Sequence, residues 1–335
     1  MKTTHLLMTL TATLLLTATQ LFAQGPNDSG TYYQAADGKK GAELKTALCG
    51  IINPHTQRTY KQLWTDFQTT DKKPNGKVWD MYSVKREMTF GTDQAGSYSV
   101  EGDVYNREHS FPKSWFNDEY PMYTDLYHLY PTDGKVNGMR SNHPFGETNG
   151  EDYKSYDNFS KLGNNTYPGY SGTVFEPNDI YKGDFARTYF YMVTAYESYV
   201  NGNGQSKQIT SWSCPMLDGK IYPGLSDWAL SMLMKWSAND PVSADKEIPR
   251  NNAVYQIQNN RNPFIDYPGL EEYIWGSMKD VAFSYDNYQQ PTAIMNVRTE
   301  RTVPTDNVMY NMAGQVVDHA YKGLVIMNGR KFFNK

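Results

Sequence analysis

Apolar residues recur at helical spacing in three separate stretches of this chain. Leu44, Ala47, Leu48, Ile51 and Ile52 share one face of segment 41–53, which predicts a first core helix. Phe185, Tyr189, Met192, Val193 and Tyr196 form a second, longer apolar face, and Leu225, Trp228, Ala229, Met232, Leu233 and Trp236 form a third. Between the first two the chain is rich in Gly, Asn, Tyr and Pro, with only short strand-like pieces such as 77–82. Helices separated by turn-rich stretches predict an α+β domain with long loops rather than alternating βαβ units.

The pattern changes at both ends. Lys2, an apolar run from Leu6 to Leu16 and a small residue at Ala23 have the order of a secretory signal peptide over 1–23. The run is too short to span a bilayer, and no later segment reaches the roughly 20 apolar residues that would. The expected product is exported, secreted or at the cell surface, with the periplasm as the alternative, and without stable membrane insertion. After Trp275 the helical period stops. Asp286-Asn287-Tyr288-Gln289-Gln290-Pro291 opens a linker over 286–295, and 296–335 alternates in short strands, with Ala313-Gly314 and Asn328-Gly329 as turn signals. The main domain is therefore expected over 24–285.

Charge and cysteine usage narrow the picture. The formal net charge is −4, so a protein acting on nucleic acid must concentrate its positive charge locally. The tail differs in sign: from Asn296 onward Arg298, Arg301, Lys322, Arg330, Lys331 and Lys335 outnumber Glu300, Asp306 and Asp318. Cys49 and Cys214 are the only cysteines, which allows one internal disulfide or two free thiols. The spacing of paired Cys and His expected of a zinc site is absent.

Two stretches carry candidate chemistry. In Tyr105-Asn106-Arg107-Glu108-His109-Ser110-Phe111-Pro112 a carboxylate and an imidazole sit side by side behind an arginine. A carboxylate can hold a hard cation, a histidine titrates near neutrality and can take a proton from water, and a guanidinium attracts phosphate. Neighbours on a regular strand point to opposite faces, so shared use of Glu108 and His109 predicts a backbone bend there. The second stretch runs from Asp125 to Asn142. Asp133 or Thr132 is a plausible N-cap for a short helix over 134–141, although Gly134 and Gly138 cost up to about 1 kcal/mol each in a helix interior. Asn137, Arg140 and Ser141 would share a face of that helix, offering an amide oxygen to a cation and a guanidinium to a phosphate. Mg²⁺ suits so sparse an oxygen set because it keeps several waters. Arg187 is a third candidate, a cation near the start of the second helix where the helix dipole disfavours it. His128 could orient a ligand or simply lie in the core. Of the 27 tyrosines, some could stack on bases, though packing accounts for most.

These stretches, with Val78-Trp79-Asp80-Met81-Tyr82-Ser83, Pro144-Phe145-Gly146-Glu147, the run from Gly183 to Met192 and the run from Gln258 to Asp266, resemble the bacterial endonuclease I family from about Leu44 to about Trp275. That family comprises secreted or periplasmic nonspecific nucleases with a ββα-metal core. The resemblance implies His109 as general base, Glu108 and Asn137 holding one Mg²⁺ (Mn²⁺ or Ca²⁺ substituting in binding), and Arg187 supporting the cleaved phosphate. Arg107, Lys135, Arg140 and Arg261 are the expected substrate-binding cations. It also implies cleavage of DNA, and RNA as a second substrate, leaving 5′-phosphate ends. Where some relatives have a histidine before the second one, this chain has Tyr127-His128, and it lacks the several disulfides some relatives carry. The segments 308–317 and 322–331 resemble the C-terminal sorting domains of type IX secretion substrates, which implies the secretion machinery as a partner. Two other functions compete with this one: a catalytically inactive binding protein on a nuclease scaffold, and a metallophosphatase acting on small phosphate esters.

Overall fold

The computed structural model describes residues 24–291, 309–311, 316–318, 320–327 and 330–334. The expected signal peptide, the end of the expected linker (292–295) and both tail turn dipeptides lie outside the described residues. The chain divides into two compact units, Met1–Gln289 and Gln290–Lys335.

The first unit opens with helices α1 (Gly41–Ile52) and α2 (Leu63–Thr70), followed by strand β1 (Tyr105–His109). Strand β2 (Leu129–Asp133) runs directly into helix α3 (Gly134–Arg140). Short strands β3 (Tyr153–Lys154), β4 (Lys161–Asn164) and β5 (Thr173–Glu176) make an antiparallel sheet in that order. Helix α4 (Lys182–Ala195), the pair β6 (Tyr199–Val200) and β7 (Ser206–Lys207), and helices α5 (Asp227–Asn239), α6 (Glu247–Gln258), α7 (Pro263–Asp266) and α8 (Leu270–Ile274) follow. The combination of helices with small antiparallel sheets is an α+β fold.

The three apolar periodicities become α1, α4 and α5. In α4 every residue from Gly183 to Ala195 is buried, so this helix has no solvent face and forms the axis around which α1, α5 and α7 pack. The strand expected over 77–82 is not formed: Val78 makes only an isolated bridge with Lys72. The Asp80 carboxyl group accepts hydrogen bonds from the amides of Tyr82 and Ser83 at 2.8 and 3.2 Å, which turns the backbone out of an extended ladder. Cys49 and Cys214 are both free thiols.

Strands β1 and β2 pair antiparallel, with Tyr105 opposite Asp133 and His109 opposite Leu129. Together with α3 they make a compact β-β-α unit, and the rest of the domain braces it. Arg250 on α6 donates to the carbonyls of Leu126 and Leu129 at 2.8 and 2.9 Å and pairs with Asp71 at 2.8 Å. The Gln258 side-chain oxygen accepts from the Leu126 amide at 2.7 Å. These bonds fix the loop that brings the chain from β1 back to β2.

The second unit contains strands β8 (Met309–Asn311), β9 (Val316–Val317), β10 (Gly323–Met327) and β11 (Arg330–Asn334) in one antiparallel sheet of order β11-β10-β8-β9. Met327 pairs with Arg330, on either side of the Asn328-Gly329 dipeptide.

Candidate active site

The last two residues of β1 open onto a cavity of about 320 Å³ that is also bounded by Arg107, Lys113, Asn137 and Ser141. The ladder stays regular through Glu108 opposite Tyr130 and His109 opposite Leu129. The expected bend therefore does not fall between Glu108 and His109; the chain leaves the ladder after His109, where the Ser110 amide still reaches the His128 carbonyl at 2.9 Å. Both side chains line the cavity because it wraps the end of the strand and collects both of its faces.

His109 is almost fully buried, in an aromatic nest. Its ring stacks on Tyr123 at 5.2 Å between centroids and on Tyr60 at 6.0 Å, with Phe116 and His128 alongside. Nε2 lies 3.0 Å from the Tyr123 carbonyl. A carbonyl can only accept, so Nε2 carries the hydrogen and, in the neutral ring, Nδ1 keeps its lone pair. Burial, and next the neighbouring His128, push the pKa well below the usual histidine value. The ring is thereby held neutral, in one tautomer, as a proton acceptor.

Glu108 is buried as well, and its Oε1 accepts from the Tyr82 hydroxyl and from Arg140 Nη1, both at 2.8 Å. Burial raises its pKa, while Arg140 and Tyr82 act in the opposite direction. Arg140 also donates to the carbonyls of His109 and Ser110 at 2.9 and 2.6 Å. Its guanidinium is spent holding the end of β1, so the expected direct contact of Arg140 with phosphate is corrected: it positions Glu108 and is fully buried.

Helix α3 delivers Asn137. Asp133 caps the helix, Oδ1 accepting from the Val136 amide at 3.0 Å, while its Oδ2 accepts from the Gly102 amide at 2.6 Å. Asp80 in turn accepts from the Asp133 amide at 3.0 Å, and burial pushes the Asp80 carboxyl up to about 8. The two costly glycines have a steric reason. A Cβ on Gly138 would overlap the Tyr98 hydroxyl, and one on Gly134 would come within 2.9 Å of the Tyr98 ring. The loop before β1 is thus laid directly on the helix backbone. The Asn137 amide nitrogen donates to Asn106 Oδ1 at 2.6 Å, which commits one end of the amide and leaves its oxygen as the end for a cation.

Among the expected cations, Arg107 is in place. Its guanidinium lies 3.5 Å from the Tyr60 ring centre and 4.2 Å from that of Trp64, and Nη1 donates to the Tyr60 carbonyl at 2.6 Å. Lys135 is half-buried on α3 and does not line the cavity. The structure does not bring Arg187 or Arg261 to the cavity. Arg187 makes a fork to Glu247 at 2.6 and 2.9 Å and donates to the Asp240 carbonyl at 2.9 Å; Arg261 makes a fork to Asp266 at 2.7 Å for each bond. Both are buried and tie helices together. Lys113, Ser114 and Tyr60 also line the cavity, with Pro112 and Asn142. Lys113 and Ser114 follow Pro112 closely enough to have been found by continuing the motif, whereas nothing in sequence spacing points to Tyr60. His128 lies in the core with Nε2 2.6 Å from the Met122 carbonyl.

Among the described residues no three His, Cys, Asp or Glu side chains gather as a metal cage. The oxygens that could hold a cation are those of Glu108 and Asn137, a set suited to a hard ion that retains water.

A family model described as Endonuclease I matches residues 40–269. The chain is 36% identical over 256 residues to an extracellular ribonuclease of Bacillus amyloliquefaciens, covering 74% of this chain and 79% of that one. It is 33% identical to an extracellular ribonuclease of Bacillus subtilis (strain 168), with the same coverage. A shorter match, 28% identical over 142 residues and covering 42% of this chain and 44% of the other, is to Endonuclease-1 of Buchnera aphidicola from Acyrthosiphon pisum. An α+β chain with this site and these relatives is a nuclease. It belongs to the endonuclease I family.

Proposed function

We propose that this protein is a secreted, Mg²⁺-dependent endonuclease that hydrolyses phosphodiester bonds of RNA and DNA without sequence preference, leaving 5′-phosphate ends. The observation that supports this reading most directly is the neutral His109, locked through Nε2 to the Tyr123 carbonyl, beside Glu108 at one cavity. The relatives named as extracellular ribonucleases support both RNA as a substrate and export.

Glu108 and Asn137 would hold the ion, each already oriented by a partner that occupies its other end, Arg140 and Asn106. When bound, Mg²⁺ would supply Lewis-acid stabilisation of charge on the phosphate and leaving oxygen. His109 Nδ1 accepts the proton of the attacking water. Arg107, flattened against Tyr60 and Trp64, draws the phosphate in, and Lys113 is the second cation bordering the cavity. These two take the role that sequence assigned to Arg187 and Arg140. Lys135 and Arg261 do not line the cavity.

Purified residues 24–335 should degrade supercoiled DNA and RNA with Mg²⁺ and stop in EDTA. His109→Ala should lower turnover by roughly 10²–10⁴-fold with binding retained. Undiminished cleavage after exhaustive chelation would remove the metal from the mechanism, and wild-type turnover by the His109→Ala protein would remove the base.

A further inference from the structure

Beside the cavity the surface carries partly exposed aromatic rings. Tyr98 lies on the Gly134–Gly138 face of α3, within about 100° around the helix of Asn137 and Ser141, which line the cavity. It nonetheless remains 37% exposed. Val100, 60% exposed, follows two residues on and precedes the buried turn at Gly102, whose backbone sits against the exposed Lys85 side chain. Lys85 in turn lies 4.2 Å over the ring of Tyr156, which is 50% exposed.

The turn joining these rings is built, not loose. Glu101 Oε1 accepts from Ser83 Oγ at 2.5 Å and Oε2 from the Tyr156 amide at 3.0 Å, so one carboxylate ties three segments together. Asp103 accepts from the amides of Ser99 and Val100 at 2.8 and 2.9 Å. Both acids are held by donors of the loop and its neighbours, although Asp103 stays open to solvent, and Lys85, Tyr98 and Tyr156 are exposed beside them. Asp157, next to Tyr156, is an exposed acid, so the strip is not strongly cationic. Such a surface suits bases that stack more than a duplex that presents only phosphates, since every unpaired base offers a π-face.

Resting on the nuclease reading above, we propose that the strip Tyr98–Val100–Lys85–Tyr156 is a binding track for single-stranded nucleic acid. It receives unpaired bases flanking the scissile phosphate and gives the enzyme a preference for single strands over duplex. Tyr98 is the platform next to the cavity and Tyr156, with Lys85 on its ring, the distal one.

The test is fluorescence anisotropy of a labelled twelve-nucleotide thymidylate strand, and of a duplex of equal length, in EDTA so that nothing is cleaved. The Tyr98→Ala/Tyr156→Ala protein should bind the single strand on the order of ten- to a hundredfold more weakly and the duplex nearly as before. Tyr156→Ala alone, which leaves Tyr98 in place on α3, should show part of that loss and so guards against a disturbed helix. With Mg²⁺, the ratio of kcat/KM for a twelve-nucleotide strand to that for a dinucleotide should fall by a similar factor in the double variant. Unchanged single-strand binding, or equal weakening of single strand and duplex, overturns the track. Failure of the wild type to cleave any nucleic acid would overturn the nuclease reading instead, with the anisotropy result still standing on its own.

Discussion

His109 shows how much one side chain's surroundings decide. A histidine in water is half protonated near pH 6.5, and a protonated base cannot accept a proton. Burial and the adjacent His128 keep the folded-state pKa well below that, so the neutral ring persists into acid. The expected profile of log kcat/KM is level as pH falls through about 6.5; a break at that value would show an exposed, ordinary histidine. The sequence displayed Glu108, His109 and Asn137 because they stand in dense local motifs. It could not display what fills the arginines' hydrogen-bond capacity. Arg187 reads as a free cation early in a helix, yet its partner Glu247 lies 60 residues further on, and no local pattern links the two. Arg140 shares a helix with Asn137, but its direction is decided by Glu108 on β1.

At the scale of elements, α3 is the part whose sequence looked wrong and whose structure explains it. Two glycines weaken the helix on its own, and Tyr98, an aromatic in a loop with no periodicity, is the reason they are tolerated. The helices were legible from their apolar period, whereas the 77–82 segment failed as a strand because Asp80 captures the following amides. Asp80 also makes a prediction. A carboxyl with a pKa of about 8 when folded and about 3.9 when unfolded keeps its proton in the native state after the unfolded chain has lost it. Its contribution to stability is then full below about pH 4 and is lost as pH rises towards about 8. Asp80→Asn cannot lose a proton, so between about pH 5 and pH 9 the melting temperature of the wild type should fall further than that of the variant. Parallel curves would mean that Asp80 is ionised throughout, its three amide bonds outweighing its burial.

For the whole molecule, the change of period and of charge after Trp275 sets an expected tail apart, and the two compact units divide at Gln289 and Gln290. Deleting residues from Thr292 onward should leave nuclease turnover and the main thermal transition unchanged while preventing correct export. A large loss of either property on deletion would mean that the tail contributes to the nuclease unit. Less legible were the long-range bonds on which the site stands. Arg250 and Gln258 hold the loop between β1 and β2, and they come from a helix more than a hundred residues beyond it in the chain. This spacing sets an order in time. The β-β-α unit is complete as sequence by Arg140, but a chain that emerges from its N-terminus must still deliver α6 before the loop carrying Tyr123, and with it the tautomer of His109, is pinned. A site wired this way is finished late: His109 gains its fixed tautomer only once the whole stretch of chain through α6 is available to fold.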